Sequence, residues 1–86
     1  MTFKIEKSSG GRRTIVRLLG EIRSEHIDLI RSEMQGHRSR FVLDLSEVSL
    51  VDLYTVRFLS ICEAEGVELV HCSRYIREWI SREQRT

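Results

Sequence analysis

Two cysteines, three histidines and a few hydroxyls near one aspartate are the side chains of this chain that could do chemistry. Cys62 and Cys72 match no zinc or redox spacing, and His26, His37 and His71 are too scattered along the chain to complete a metal site. His71 beside Cys72 invites a base and nucleophile assignment, but neighbours on a strand point to opposite faces. His26 and His37 read as solvated, while His71 falls where α/β sheets bind ligands, at a strand end. Ser8-Ser9-Gly10-Gly11 lacks the lysine and the spacing of a phosphate loop and reads as a hairpin turn. Arg38, Arg40, Arg74 and Arg77 read as solvated faces and not as an anion site. The expectation is therefore no catalytic set, no metal and no cofactor.

What remains is Asp52, which stands directly before a run containing Leu53, Tyr54, Val56, Phe58, Leu59, Ile61 and Cys62. Its carboxylate is placed to accept bonds from the free amides that open a helix, so the spacing predicts a helix capped by Asp52 and closed by Gly66. Before it, Phe41, Val42, Leu43 and Leu45 predict a buried strand, with a loop over Ser46 to Val51. Phe3 and Ile5 alternate with Lys4 and Glu6, predicting a first strand from Thr2 to Lys7 that pairs antiparallel with Arg12 to Leu19. Gly20 breaks that second run. Ser24 then opens a helix carrying Ile27, Ile30 and Met34, ended by Gly36. Val67 to His71 predicts a last strand, and Ser73 caps a final helix with Ile76, Trp79 and Ile80 as its buried stripe.

The predicted order is β-β-α-β-α-β-α over a single domain, 1–86. After the hairpin every step between strands passes through a helix, which makes a small four-stranded, mixed but mostly parallel sheet of the α/β class. Charges on the strands (Lys4, Glu6, Arg13, Arg17, Glu68) place the helices mainly on one face and leave the other partly wet. Of the 86 residues, 41% are apolar and 31% charged, which excludes a disordered chain, and no apolar run approaches the ~20 residues of a membrane helix. The start, Met-Thr-Phe-Lys-Ile-Glu, is unlike a secretory signal, so the default compartment is the cytoplasm and both thiols are expected reduced. A net charge of +1 argues against a dedicated nucleic-acid binder.

The strand Phe41 to Leu45, the segment Asp44-Leu45-Ser46-x-Val48-Ser49, and Val51-Asp52 at the head of a helix together resemble the STAS family, which includes bacterial anti-sigma factor antagonists. Leu18-Leu19-Gly20-Glu21-Ile22 is similar to that family's second-strand exit, and Gly66-Val67-Glu68-Leu69-Val70 to the segment before its third helix. The resemblance spans nearly the whole chain. It implies a non-enzymatic interaction module that binds a regulatory partner, an anti-sigma-type kinase, through the start of the helix after Asp52. A second implied role is accessory subunit of a membrane transporter, an ABC-type lipid system whose ATPase subunit the same helix would clamp. A small-ligand or nucleotide sensor would instead need a pocket near Ser46, Ser49 and His71.

In the family a phosphorylatable serine follows this aspartate; here the segment reads Asp52-Leu53-Tyr54-Thr55, and Leu53 has no hydroxyl. The resemblance therefore implies a domain without the usual switch. Thr55, the alternative phosphosite, falls on the inward side at about 100° per residue, where its hydroxyl would bond near the cap. Tyr54 reads as a core-edge aromatic. The same geometry puts Leu53, Arg57, Ser60 and Ala64 outward with Val56 and Glu63 flanking, so Asp52, Leu53, Val56, Arg57 and Ser60 are the expected partner-binding residues. Similar proteins continue into a further strand, which leaves a sheet edge here as an expected site of homodimerisation.

Overall fold

A computed structural model describes residues 3–85. The strands are β1 (Phe3–Gly10), β2 (Arg13–Ile22), β3 (Phe41–Val51) and β4 (Glu68–Val70), and the helices are α1 (Ile27–Ser32), α2 (Leu53–Ala64) and α3 (Arg74–Arg85). Short 3-10 turns, Ser24–His26 and Arg38–Arg40, precede α1 and β3. Thr2, the expected start of β1, lies outside the described residues.

The sheet order is β1-β2-β3-β4, with β1 antiparallel to β2 and the other two pairings parallel. The parallel connections advance in one direction, so right-handed crossovers stack their helices on one face. Burial agrees. Val16, Leu18, Leu43 and Leu45 are buried together with Ile30 and Met34, with Val56, Phe58 and Leu59 of α2, and with Ile76 and Ile80 of α3. The opposite face is wet and laced with charge. Arg17 lies 3.5 Å from Glu6 and 3.7 Å from Asp44, its register partners on the two flanking strands. Arg13 reaches across β3 to Glu68, and Val42, which sits between Ile15 and Glu68 in the register, is buried beside that pair. The long stem of an arginine covers apolar surface while its head stays in water.

Three local expectations change. The hairpin turn is Gly11-Arg12; Ser8, Ser9 and Gly10 are instead paired with Ile15, Thr14 and Arg13. Gly11 alone takes a positive φ, 63°, which suits the first central position of a II′ turn. The expected loop from Ser46 to Val51 is the second half of β3. It extends because β2 does not stop at Gly20: Leu19, Gly20, Glu21 and Ile22 pair with Glu47, Val48, Leu50 and Val51, with register irregularities on either side of Gly20. The φ of 86° at Gly20 lets a strand carry such a bulge without breaking. Finally, α1 ends at Ser32 and not near Gly36. The amides of Glu33 and Met34 fall back to the carbonyls of Ile30 and Arg31, and the Arg38 guanidinium donates to the Met34 carbonyl at 2.6 Å.

The edge a further strand would join, β4, offers only three residues, whereas β1 leaves an eight-residue edge unpaired. Among the described residues no helix is long and apolar enough to cross a membrane. The two faces of the sheet differ measurably: Leu43→Ala, in the core, is expected to cost about 2–5 kcal/mol in urea unfolding. Ile15→Ala, on the wet face, should cost under about 1 kcal/mol.

Candidate functional site

Asp52 has extended backbone angles, φ −102° and ψ 176°, while Leu53 begins α2, as an N-cap must. Its Oδ1 accepts the Thr55 amide at 2.9 Å and lies 2.7 Å from the Thr55 hydroxyl, which is also 3.0 Å from the carbonyl of Ile22 at the end of β2. Its Oδ2 accepts the amide of Ser24 at 2.9 Å. One carboxylate thus fastens the start of α2 to the turn leading into α1, and the single proton of the Thr55 hydroxyl is shared between that carboxylate and the carbonyl at the exit of β2. Burial alone would raise its pKa, but the donors from Thr55 and Ser24 outweigh it and hold the carboxyl below its ordinary value.

Thr55 is completely buried, with its hydroxyl committed to this knot. That removes it as an accessible phosphosite: a dianion there would displace both the cap and the bond to β2. Val56 is likewise fully buried in the core and cannot contact a partner. Leu53 and Ser60 are half-buried, and Arg57 is exposed with its Nε 3.0 Å from Glu83 of α3. The outer face of α2 is therefore not the one that its own periodicity indicated. α3 packs along the Ser60 and Glu63 side, where Arg77 donates two 2.9 Å bonds to Glu63 and Gln84 a third at 3.0 Å. Contact with α3 turns the exposed stripe by roughly 50° around the helix, at 100° per residue.

That stripe carries Tyr54 (62% exposed), Arg57 and Ile61 (55% exposed), with Leu50 (44% exposed) two residues before the cap. Tyr54 is therefore not at the core edge, where its type suggested it would sit. The signal was present in the sequence: α2 carries large apolar side chains on both sides, more than one core-facing stripe needs.

The other chemistry-bearing residues are structural. Burial pushes the Cys62 thiol up to about 11, and burial raises Cys72 as well, so neither is an activated nucleophile. His26 is not solvated: it stacks on Phe3 at 4.1 Å and its Nδ1 accepts the Arg23 amide at 3.0 Å. His37 is exposed. Arg38 and Arg77 are not free solvated charges either, since Arg38 lies 3.4 Å from Glu65 and Arg77 holds Glu63. Ser46, Ser49 and His71 are all exposed, and the pairing of β3 replaces the loop that a ligand pocket there required. Among the described residues no three His, Cys, Asp or Glu side chains are grouped to hold a metal.

No protein-family model matches the sequence, and no curated protein matches it. Solved structures do. An anti-sigma factor antagonist STAS domain from Rhodobacter sphaeroides superposes with a TM-score of 0.63 at 19% identity, covering 80% of this chain and 86% of that one. The anti-sigma factor antagonist SpoIIAA in its unphosphorylated form superposes with a TM-score of 0.67 at 17% identity, covering 93% of this chain and 82% of that one.

The knot makes a pH-dependent prediction. A carboxyl whose folded pKa lies below its unfolded value stabilises the fold above the unfolded value, 3.8 for this group, and that contribution fades as pH falls through the folded pKa. Asp52→Ala should thus lose about 1–2 kcal/mol at neutral pH in urea unfolding, with the gap to the parent closing below about pH 4. Asp52→Asn, still able to cap, should lose less at neutral pH, and its gap to the parent should narrow over the same range, because only the parent titrates at this position. At this level of likeness the conclusion concerns architecture: the chain has the fold of the STAS-domain anti-sigma factor antagonists.

Proposed function

We propose that this protein is a non-enzymatic interaction module that binds a regulatory protein partner through the exposed stripe of α2, which starts at the N-terminal end of that helix and runs to Ile61. The observation that carries the reading is the exposed apolar stripe of that helix, Tyr54 and Ile61 flanking Arg57, on a helix whose start is locked by Asp52. Exposed aromatic and aliphatic side chains beside an arginine are the composition of binding hot spots, and a rigid helix loses little entropy on docking. Leu53, half-buried at the head of the helix, extends the surface. The fold of anti-sigma factor antagonists supports a partner of the anti-sigma kinase class.

The proposed module also lacks the usual covalent control. A phosphate at the first position of α2 would face free amides that favour negative charge, so it would act on the partner interface and not on the fold. Leu53 offers no acceptor oxygen there and Thr55 is enclosed, which makes binding constitutive with respect to serine kinases.

Calorimetry against the purified anti-sigma-type kinase of the same organism tests the surface. Ile61→Asp should weaken binding by about tenfold or more, at least about 1.4 kcal/mol, without changing the circular dichroism, whereas Arg12→Glu at the far end of the hairpin should bind as the parent does. Unchanged affinity for Ile61→Asp would refute the surface. Binding to a transporter ATPase subunit in place of the kinase would reassign the partner but keep the helix. A gain-of-function variant tests the missing switch: Leu53→Ser should take up one phosphate at position 53 from that kinase by mass spectrometry, and the parent none. Stoichiometric modification of the parent protein would contradict the reading.

A further inference from the structure

β1 is an edge strand, and one row of charges on the wet face ends at it unfinished. Asp44, Arg17 and Glu6 lie opposite one another on β3, β2 and β1 and alternate in sign, with Arg17 3.7 Å and 3.5 Å from its two neighbours. Among the described residues no strand lies beyond Glu6. On the other side of the same edge, Phe3, Ile5 and Leu29 line an open groove of about 340 Å³ with Lys7 and Glu33 at its rim, and Leu29 is half exposed. An edge that is extended, unpaired over eight residues and bordered by an apolar groove is a template for another strand.

We propose that the occupant is β1 of a second copy of this chain, paired antiparallel across a two-fold axis through Ile5. The register follows from strand geometry. Residues directly opposed in an antiparallel ladder share hydrogen-bonding type and face, so a two-fold axis must pass through a residue pair and not between residues. An axis through Lys4 sets Lys4 against its own copy, one through Glu6 sets Glu6 against its copy, and one through Lys7 does the same with Lys7; like charges directly opposite are unfavourable. The axis through Ile5 sets Lys4 of each subunit opposite Glu6 of the other, twice, and brings the two Ile5 side chains together on the groove side. It also completes the row: Asp44, Arg17, Glu6 and then Lys4 of the second copy alternate without interruption. Within one subunit Lys4 reaches its own Glu6 at 3.8 Å while Glu6 also lies 3.5 Å from Arg17, and Lys4 and Glu6 are both well exposed, so a closer cross-subunit pair can take over from the intrasubunit one. The resulting eight-stranded sheet keeps both helix layers on one side and both α2 stripes free, so this contact is separate from the partner surface of the preceding section.

Sedimentation of the full chain tests the interface by charge exchange. The parent protein should sediment at twice the chain mass in the micromolar range. Lys4→Glu sets two glutamates against each other and Glu6→Lys two lysines, on a solvent face where neither variant disturbs the core, so each alone should raise the dimer dissociation constant about tenfold or more. Mixing the two variants restores both opposite-charge pairs, and the mixture should return to the dimer mass. A monomeric parent, single variants that dimerise as the parent does, or a mixture that fails to associate while each variant retains its circular dichroism would each overturn the proposal.

Discussion

The carboxylate of Asp52 is the constraint on which the rest of the structure depends. Two stretches that are far apart in sequence meet at it: the end of β2 and the turn before α1, through the Ile22 carbonyl beside the Thr55 hydroxyl and through the Ser24 amide, and the first turn of α2, through the Thr55 amide. The Thr55 hydroxyl is fully buried and would be left without a partner if the knot opened, and an unmade hydrogen bond there costs more than a made one contributes. The direction in which α2 leaves the sheet is fixed by this knot, as is the burial of Thr55 and Val56. A short aspartate suits the position because it is at once a good cap and an acceptor with a second oxygen to spare.

From that fixed start α2 has two jobs. Its inner side fills the core with Val56, Phe58, Leu59 and Cys62, and its flank receives α3 through the Glu63–Arg77 pair. Arginine 77 holds Glu63 below its ordinary carboxyl range, a sign that the contact favours the ionised form. What is left over, Tyr54 and Ile61, stays exposed beside Arg57, which pairs with Glu83 of α3. Hydrocarbon kept in water there, on Tyr54 and Ile61, is the feature on which the proposed partner surface rests.

Much of this was legible in the sequence, because the governing signals were local. The Asp52 cap, the Ser73 cap, whose hydroxyl accepts the Ile76 amide at 3.3 Å, and the alternation of Lys4 and Glu6 with Phe3 and Ile5 all follow from neighbours a few residues apart. The order of elements and the parallel pairing of β2, β3 and β4 followed from the helices between them. What was missed depended on distant partners. β3 continues past Leu45 only because β2, bulged at Gly20, supplies a strand to pair with. The exposed side of α2 is displaced where α3 binds Glu63, a contact that no helical wheel of α2 alone contains. Thr55 was correctly turned inward, but its bond to Ile22 belongs to a residue 33 positions away.

The claim that one carboxylate ties sheet exit, crossover turn and the start of α2 is tested most directly by NMR titration of Asp52. The account predicts that its carboxyl carbon and the amide protons of Ser24 and Thr55 shift together through one midpoint, below the value of about 3.9 for an unperturbed aspartate. A midpoint at or above that value, or a Ser24 amide indifferent to it, would contradict the account.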